Sequence, residues 1–128
     1  MFADPWNPSR SEMRTWAYTA RAEAPDQDWD LACLQTQYER DYIEFASDKN
    51  CPNRLFFLHV LYLIVGDAVR NGFRNAPEAV IRGFVELAAT SVEPSVRLWR
   101  ERSLRLLKHP SEFDYEAWCA GGLANESA

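Results

Sequence analysis

An uninterrupted apolar run spans Leu55–Val65, and its only polar side-chain groups are the imidazole of His59 and the phenol of Tyr62. Such a segment must be buried on nearly every side, because apolar surface left in water is costly. Its eleven residues exceed the roughly 4–8 of a buried strand and fall short of the ~20 that cross a bilayer. With typical boundary residues before and after it, the run predicts a buried central helix over Pro52–Asn71.

The remaining apolar residues recur at helical spacing, which predicts helices along the whole chain. Prolines open three further predicted helices, at Pro8, Pro77 and Pro94. Asn7 is predicted to be the N-cap of the first of them. Asp28–Ser47 forms one helix or two, which the sequence leaves open, and a short last helix is expected over Phe113–Cys119.

These helices place the chain in the all-α fold class. A chain of 128 residues is expected to form one compact domain of five to seven helices in antiparallel pairs around the helix Pro52–Asn71. The domain is predicted to cover residues 1–124, with residues 125–128 as a frayed tail. The first residues lack a basic region followed by an apolar stretch, so a cytoplasmic protein is expected.

Helix-opening prolines also recur at similar intervals, since Pro8, Pro52 and Pro94 are 44 and 42 residues apart. Helical-hairpin solenoids repeat every ~40–47 residues. Glu93–Leu107, with its Glu-Pro-Ser-Val-Arg start, Ser103 and Leu104, resembles the second helix of a HEAT repeat. Trp99 departs from that pattern, because the family has a small residue there. The resemblance implies a short solenoid, and a compact helical bundle is the alternative.

Charge is distributed unevenly along the chain. Residues 1–50 carry a net charge of −5, residues 51–110 carry +4 and residues 111–128 carry −4. The overall charge of −5 disfavours nucleic acid, whose phosphates need a basic face, and favours a basic protein partner. The basic residues of the helix from Pro94 are expected to pair with the acidic ends or to be solvated.

Acidic residues cluster around Trp29. Three aspartates alternate with other residues as in a calcium loop, but Leu31 and Gln37 stand where that loop needs glycine and glutamate. Complementing the start of a helix is one role for these acids. The other is a negatively charged binding surface on which Trp29 is partly exposed. This candidate surface comprises Asp26, Asp28, Trp29, Asp30, Glu39, Asp41 and Glu44.

A catalytic site has little support in the sequence. His59 is expected to be a neutral core histidine bonded to a backbone carbonyl or a tyrosine, and the alternative is a ligand pocket lined by His59 and Tyr62. Cys51 precedes a helix start, where the dipole could lower its thiol pKa. The cysteines form no Cys-x-x-Cys pair, so we predict no disulfide, no metal site and no cofactor.

Together these features predict a small cytoplasmic protein that binds another protein without catalysis, through an acidic surface bearing an aromatic residue. In size, charge and helix content the chain is similar to bacterial immunity and antitoxin proteins, which cap the basic active site of a toxin. The partner is then a basic toxin or effector, and no membrane is involved. A helical homodimer or structural subunit is one alternative, and a small-ligand sensor or enzyme is another.

Overall fold

The computed structural model describes residues 2–25, 29–34 and 36–119. In these ranges the chain forms helices and no strand, packed into one compact domain, which confirms the predicted all-α class. Three short 3₁₀ helices cover Thr36–Tyr38, Leu87–Thr90 and Pro110–Glu112, and residues 115–119 are again helical. The longer elements are α1 (Arg10–Ala17), α2 (Trp29–Ala32), α3 (Glu39–Ser47), α4 (Arg54–Arg70), α5 (Glu78–Glu86) and α6 (Pro94–Lys108).

The central helix is α4, which the sequence predicts over Pro52–Asn71. It begins at Arg54 and ends at Arg70, and Gly72 follows with a φ of +60°. Ten of its 17 residues are buried, so neighbours must cover it on several sides. It packs against α3, α5 and α6.

Aromatic rings hold the first half of the chain against the start of α4. The rings of Trp16 and Trp29 have centroids 4.8 Å apart, and Phe56 of α4 stacks on Trp29 at 5.4 Å. On the other side, Phe57 packs against Phe45 of α3 at 4.8 Å. Two neighbouring residues of α4 therefore anchor different parts of the chain, and such ring pairs contribute about 0.5–1.5 kcal/mol each beyond their buried area.

The start of α1 corrects the prediction that Asn7 caps a helix beginning at Pro8. The N-cap is Ser9, whose hydroxyl accepts from the backbone N–H of Glu12 at 3.1 Å. The carboxylate of Glu12 accepts from the backbone N–H of Ser9 at 2.9 Å in return. This reciprocal capping box satisfies two backbone donors at the helix start, whereas the side chain of Asn7 bonds Asp4.

The end of α1 is tied to the start of α4. The amide nitrogen of Asn53 donates to the carbonyls of Trp16 at 2.8 Å and Thr19 at 2.9 Å. The thiol of Cys51 donates to the carbonyl of Ala17 at 3.2 Å. Carbonyls at a helix C-terminus have no partner within the helix, so these side chains supply what α1 lacks.

The segment predicted as one helix or two over Asp28–Ser47 is interrupted. Cys33 and Leu34 are not helical, and the 3₁₀ turn Thr36–Tyr38 leads into α3. Trp29 on α2 and Phe45 on α3 bury into different parts of the core. A break between the two helices lets each of them direct its apolar residues separately.

The end of the described chain returns along α4. α6 begins with Pro94 at its first position, as predicted. The last helix, predicted over Phe113–Cys119, occupies only residues 115–119. The indole N–H of Trp118 donates to the carbonyl of Tyr62 at 2.6 Å. Residues 125–128 of the predicted tail lie outside the described ranges, and the resemblance to a HEAT repeat stays a prediction.

Gly66→Ala and Gly83→Ala are expected to change stability in opposite directions. A Cβ at residue 66 would lie 2.6 Å from Cδ1 of Trp118, whereas nothing lies within 4 Å of one at residue 83. Alanine favours a helix over glycine by about 1 kcal/mol, so Gly83→Ala should raise the free energy of unfolding. Overpacking should make Gly66→Ala about 1–2 kcal/mol less stable than the wild type. Urea denaturation measures both, and equal stability of the two variants would contradict the contact with Trp118.

Candidate binding surface

Two arginines of α1 pair with the predicted acidic residues of α3. Nε of Arg10 lies 2.9 Å from an Asp41 carboxylate oxygen, and a terminal nitrogen of Arg14 lies 2.7 Å from one of Glu44. These pairs are largely solvent-exposed, so each contributes about 0.2–1 kcal/mol. They offset the negative charge of Asp41 and Glu44, which leaves this part of the predicted surface close to neutral.

Trp29 is fully buried, so the prediction that it is partly exposed is wrong. Its indole N–H donates to the carbonyl of Pro5 at 2.7 Å, and its ring packs between Phe2 and Phe56. A buried indole with a satisfied N–H is a core residue. The aromatic contact expected on the acidic surface is therefore missing.

The side chain of Asp30, predicted as part of a binding surface, bonds the side chain of His59. Nε2 of His59 lies 3.2 Å from Oδ2 of Asp30, and the two side chains are 23% and 30% exposed. This corrects the expectation that His59 bonds a backbone carbonyl or a tyrosine. The contact joins the four-residue α2 to α4 at the protein surface.

Two leucines beside this contact are unusually exposed for large apolar residues. Leu31 follows Asp30 on α2 and is 48% exposed. Leu55 lies one turn before His59 on α4 and is 41% exposed. Residues four apart share a helix face, so Leu55 lies on the same face of α4 as His59, and Leu31 is the chain neighbour of Asp30. We call the set of Asp30, Leu31, Leu55 and His59 the α2–α4 patch.

Glu39 lies at the start of α3 and is half-buried. Its Oε1 is buried without a hydrogen-bond partner among the described residues. Burial raises the pKa of this carboxyl above its usual range, because removing water disfavours the charged form. Glu39 is therefore a poor contact for a basic partner.

Three residues of the predicted surface and pocket remain. Asp26 and Asp28 are outside the described residues, and Tyr62 is buried. Two of the cavities among the described residues are prominent, and neither is lined by His59 or Tyr62. One, of about 300 Å³, opens between Phe2 and Trp16. The other, of about 340 Å³, lies between α6 and the segment that follows it.

The three cysteines do not have the lowered thiol pKa of a reactive centre. Cys33, Cys51 and Cys119 are free thiols, and burial raises the pKa of each. For Cys51 this is the opposite of the lowered pKa that a helix start could give. Among the described residues, no group of three histidine, cysteine or acidic side chains is arranged to hold a metal ion.

A basic residue of α6 pairs within the middle of the chain. Arg100 donates to both carboxylate oxygens of Glu86, on α5, at 3.0 and 3.1 Å. Arg102 has a further interaction, and the predicted pairing with the acidic ends stays a prediction. At the start of the same helix, Glu93 is buried and pairs with Arg54 of α4 at 3.3 Å. These bonds connect helices within the middle of the chain, and Arg97, Arg105 and Lys108 are exposed.

No described helix is both long and apolar enough to traverse a bilayer. No protein-family model, curated protein or solved structure matches this chain.

Sequence reasoning missed the exposure of Leu31 and Leu55. Leu55 opens an almost wholly apolar run, so the pattern offers no polar face from which its exposure can be read. Leu31 entered the sequence argument only as the residue that excludes a calcium loop. The spacing of Leu55 and His59 is a weak signal for that exposure. The two residues are four apart, so the only imidazole of the run lies on the same helix face as Leu55.

Replacing Glu39 with glutamine is expected to stabilise the protein at neutral pH. The raised pKa means that the folded chain binds this proton more tightly than the unfolded chain, so ionised Glu39 lowers stability above that pKa. As the pH falls through the raised pKa, Glu39 becomes protonated and the wild type becomes more stable. The difference in free energy of unfolding between the wild type and Glu39→Gln should therefore disappear. Thermal melts from pH 7 to about pH 4 test this, with Glu101→Gln as an exposed control. A difference in stability between Glu39→Gln and the wild type that does not depend on pH would contradict this prediction.

Proposed function

We propose that this chain is a small non-catalytic protein that binds a basic protein partner through the α2–α4 patch and the acidic residues beside it. The observation that carries the proposal is the exposure of Leu31 and Leu55 around the Asp30–His59 contact. These leucines replace the buried Trp29 as the apolar centre of the interface. Burying the exposed part of each would contribute about 1 kcal/mol.

The charge around α2 supports a basic partner. Asp26 and Asp28 precede α2 directly in the sequence, and residues 1–50 carry a net charge of −5. On the α1–α3 side, Arg10 and Arg14 offset the acids. Among the described residues no arginine or lysine pairs with Asp30, and Asp26 and Asp28 lie within four residues of it in the sequence. Complementary charge of this kind mainly raises the association rate and the specificity of binding.

The state of His59 supports binding over catalysis. Its Nε2 is bonded to Asp30, and its Nδ1 is buried without a partner among the described residues. A general base needs a ring nitrogen within hydrogen-bond reach of a substrate proton. The bonded Nε2 and the buried Nδ1 therefore favour a role in which His59 and Asp30 fasten α2 to α4 over a role in general base catalysis.

Purification of the partner from the host organism, followed by a measured Kd with purified components, tests this function. Leu31→Ser and Leu55→Ser should each weaken binding about fivefold, because each removes about 1 kcal/mol of apolar contact. Val80→Ser is the matched control, since Val80 is 42% exposed on α5, away from the patch. The control should bind as the wild type does.

The double variant Asp26→Asn, Asp28→Asn tests the charge. It should weaken binding and flatten the dependence of the Kd on salt, because fewer exposed charges remain to be screened. The leucine variants, the aspartate variant and the control must first give the helical circular dichroism of the wild type. A partner whose Kd is the same for the leucine variants, the aspartate variant and the control would overturn the proposal.

A further inference from the structure

A second candidate site is a groove between α6 and the segment that returns after Pro110. This groove has a volume of about 340 Å³, which is at the lower end of the roughly 300–1,000 Å³ of small-molecule sites. Its apolar part is formed by Leu106 of α6 and by Phe113 and Trp118 of the returning segment. It shares no residue with the α2–α4 patch.

The aromatic wall of the groove is held in place. The indole N–H of Trp118 donates to the carbonyl of Tyr62, and the two rings have centroids 5.0 Å apart. The same ring rests against Gly66, where no side chain intervenes. A wall fixed by a hydrogen bond and by packing binds a ligand without a large ordering cost.

The charges that line the groove have opposite signs on its two sides. Arg105 belongs to α6, whereas Glu112 and Asp114 belong to the returning segment. All three residues are exposed. Within the described residues the side chain of Arg105 makes no ion pair or hydrogen bond, and the same holds for the two carboxylates. Arg102, which also lines the groove, has another interaction.

We propose that this groove binds a small zwitterion with a large apolar body, of which phenylalanine is the simplest example. The ligand carboxylate would meet the guanidinium of Arg105, its ammonium group would meet Glu112 or Asp114, and its apolar body would pack on Trp118. A simple anion would meet repulsion from the two carboxylates, and a simple cation would meet repulsion from Arg105. The zwitterion is the charge class that matches both sides.

Titration of the isotope-labelled full chain with L-phenylalanine tests the proposal. The indole N–H signal of Trp118, followed by nuclear magnetic resonance, should shift in a saturable way. N-acetyl-L-phenylalanine lacks the cation and L-phenylalaninamide lacks the anion, so each should bind about fivefold more weakly. Glycine, which lacks the apolar body, should leave the signal unmoved.

Arg105→Gln should weaken phenylalanine binding about fivefold. Arg97→Gln is the control and should bind as the wild type does, because Arg97 is an exposed arginine of the same helix outside the groove. The ligand series keeps the proposal testable if Arg105→Gln does not fold. An unshifted Trp118 signal at ~20 mM phenylalanine would overturn it, since weaker binding carries no specific function. Equal affinity for phenylalanine and its N-acetyl derivative would overturn it as well. Neither result bears on the α2–α4 patch.

Discussion

The burial of α4 is the constraint on which the rest of the structure depends. Nearly every residue of Leu55–Val65 is apolar, so no single neighbour can cover the helix. The other elements divide the task between them: the aromatic residues of α1 and α2 contact Phe56, α3 contacts Phe57, and Trp118 covers the stretch around Gly66. Most of these elements are short because each of them covers only one side of the same helix.

Both proposed sites lie beside elements that cover α4. The start of α4 is covered by α2, which has only four residues, so Leu55 remains exposed and His59 is reached from outside by Asp30. Near the other end, the returning segment covers α4 through Trp118 and leaves a groove on its α6 side. The surface features that can recognise other molecules thus follow from how the central helix is enclosed.

The all-α class and the position of the central helix could be predicted, because an eleven-residue apolar run between helix-boundary residues has few other solutions. The capping box at Ser9 and Glu12 was readable too, although proline at residue 8 drew the prediction elsewhere. The burial of Trp29 was not readable, since it depends on Pro5 and Phe56 from distant parts of the chain. The groove also depends on a reversal of direction after α6, which local patterns do not specify.

The run that organises the native fold is also a hazard once that fold is lost. Between Arg54 and Asp67 the chain carries no acidic or basic residue except His59, and it is rich in the β-branched and aromatic residues that favour extended pairing. Segments of this kind self-associate when unfolding exposes them, and flanking charges only slow that process. By covering α4, the surrounding helices therefore prevent its apolar run from associating with other copies of the protein. Heat denaturation should end in aggregation, which makes the rate of unfolding the practical measure of this protein's durability.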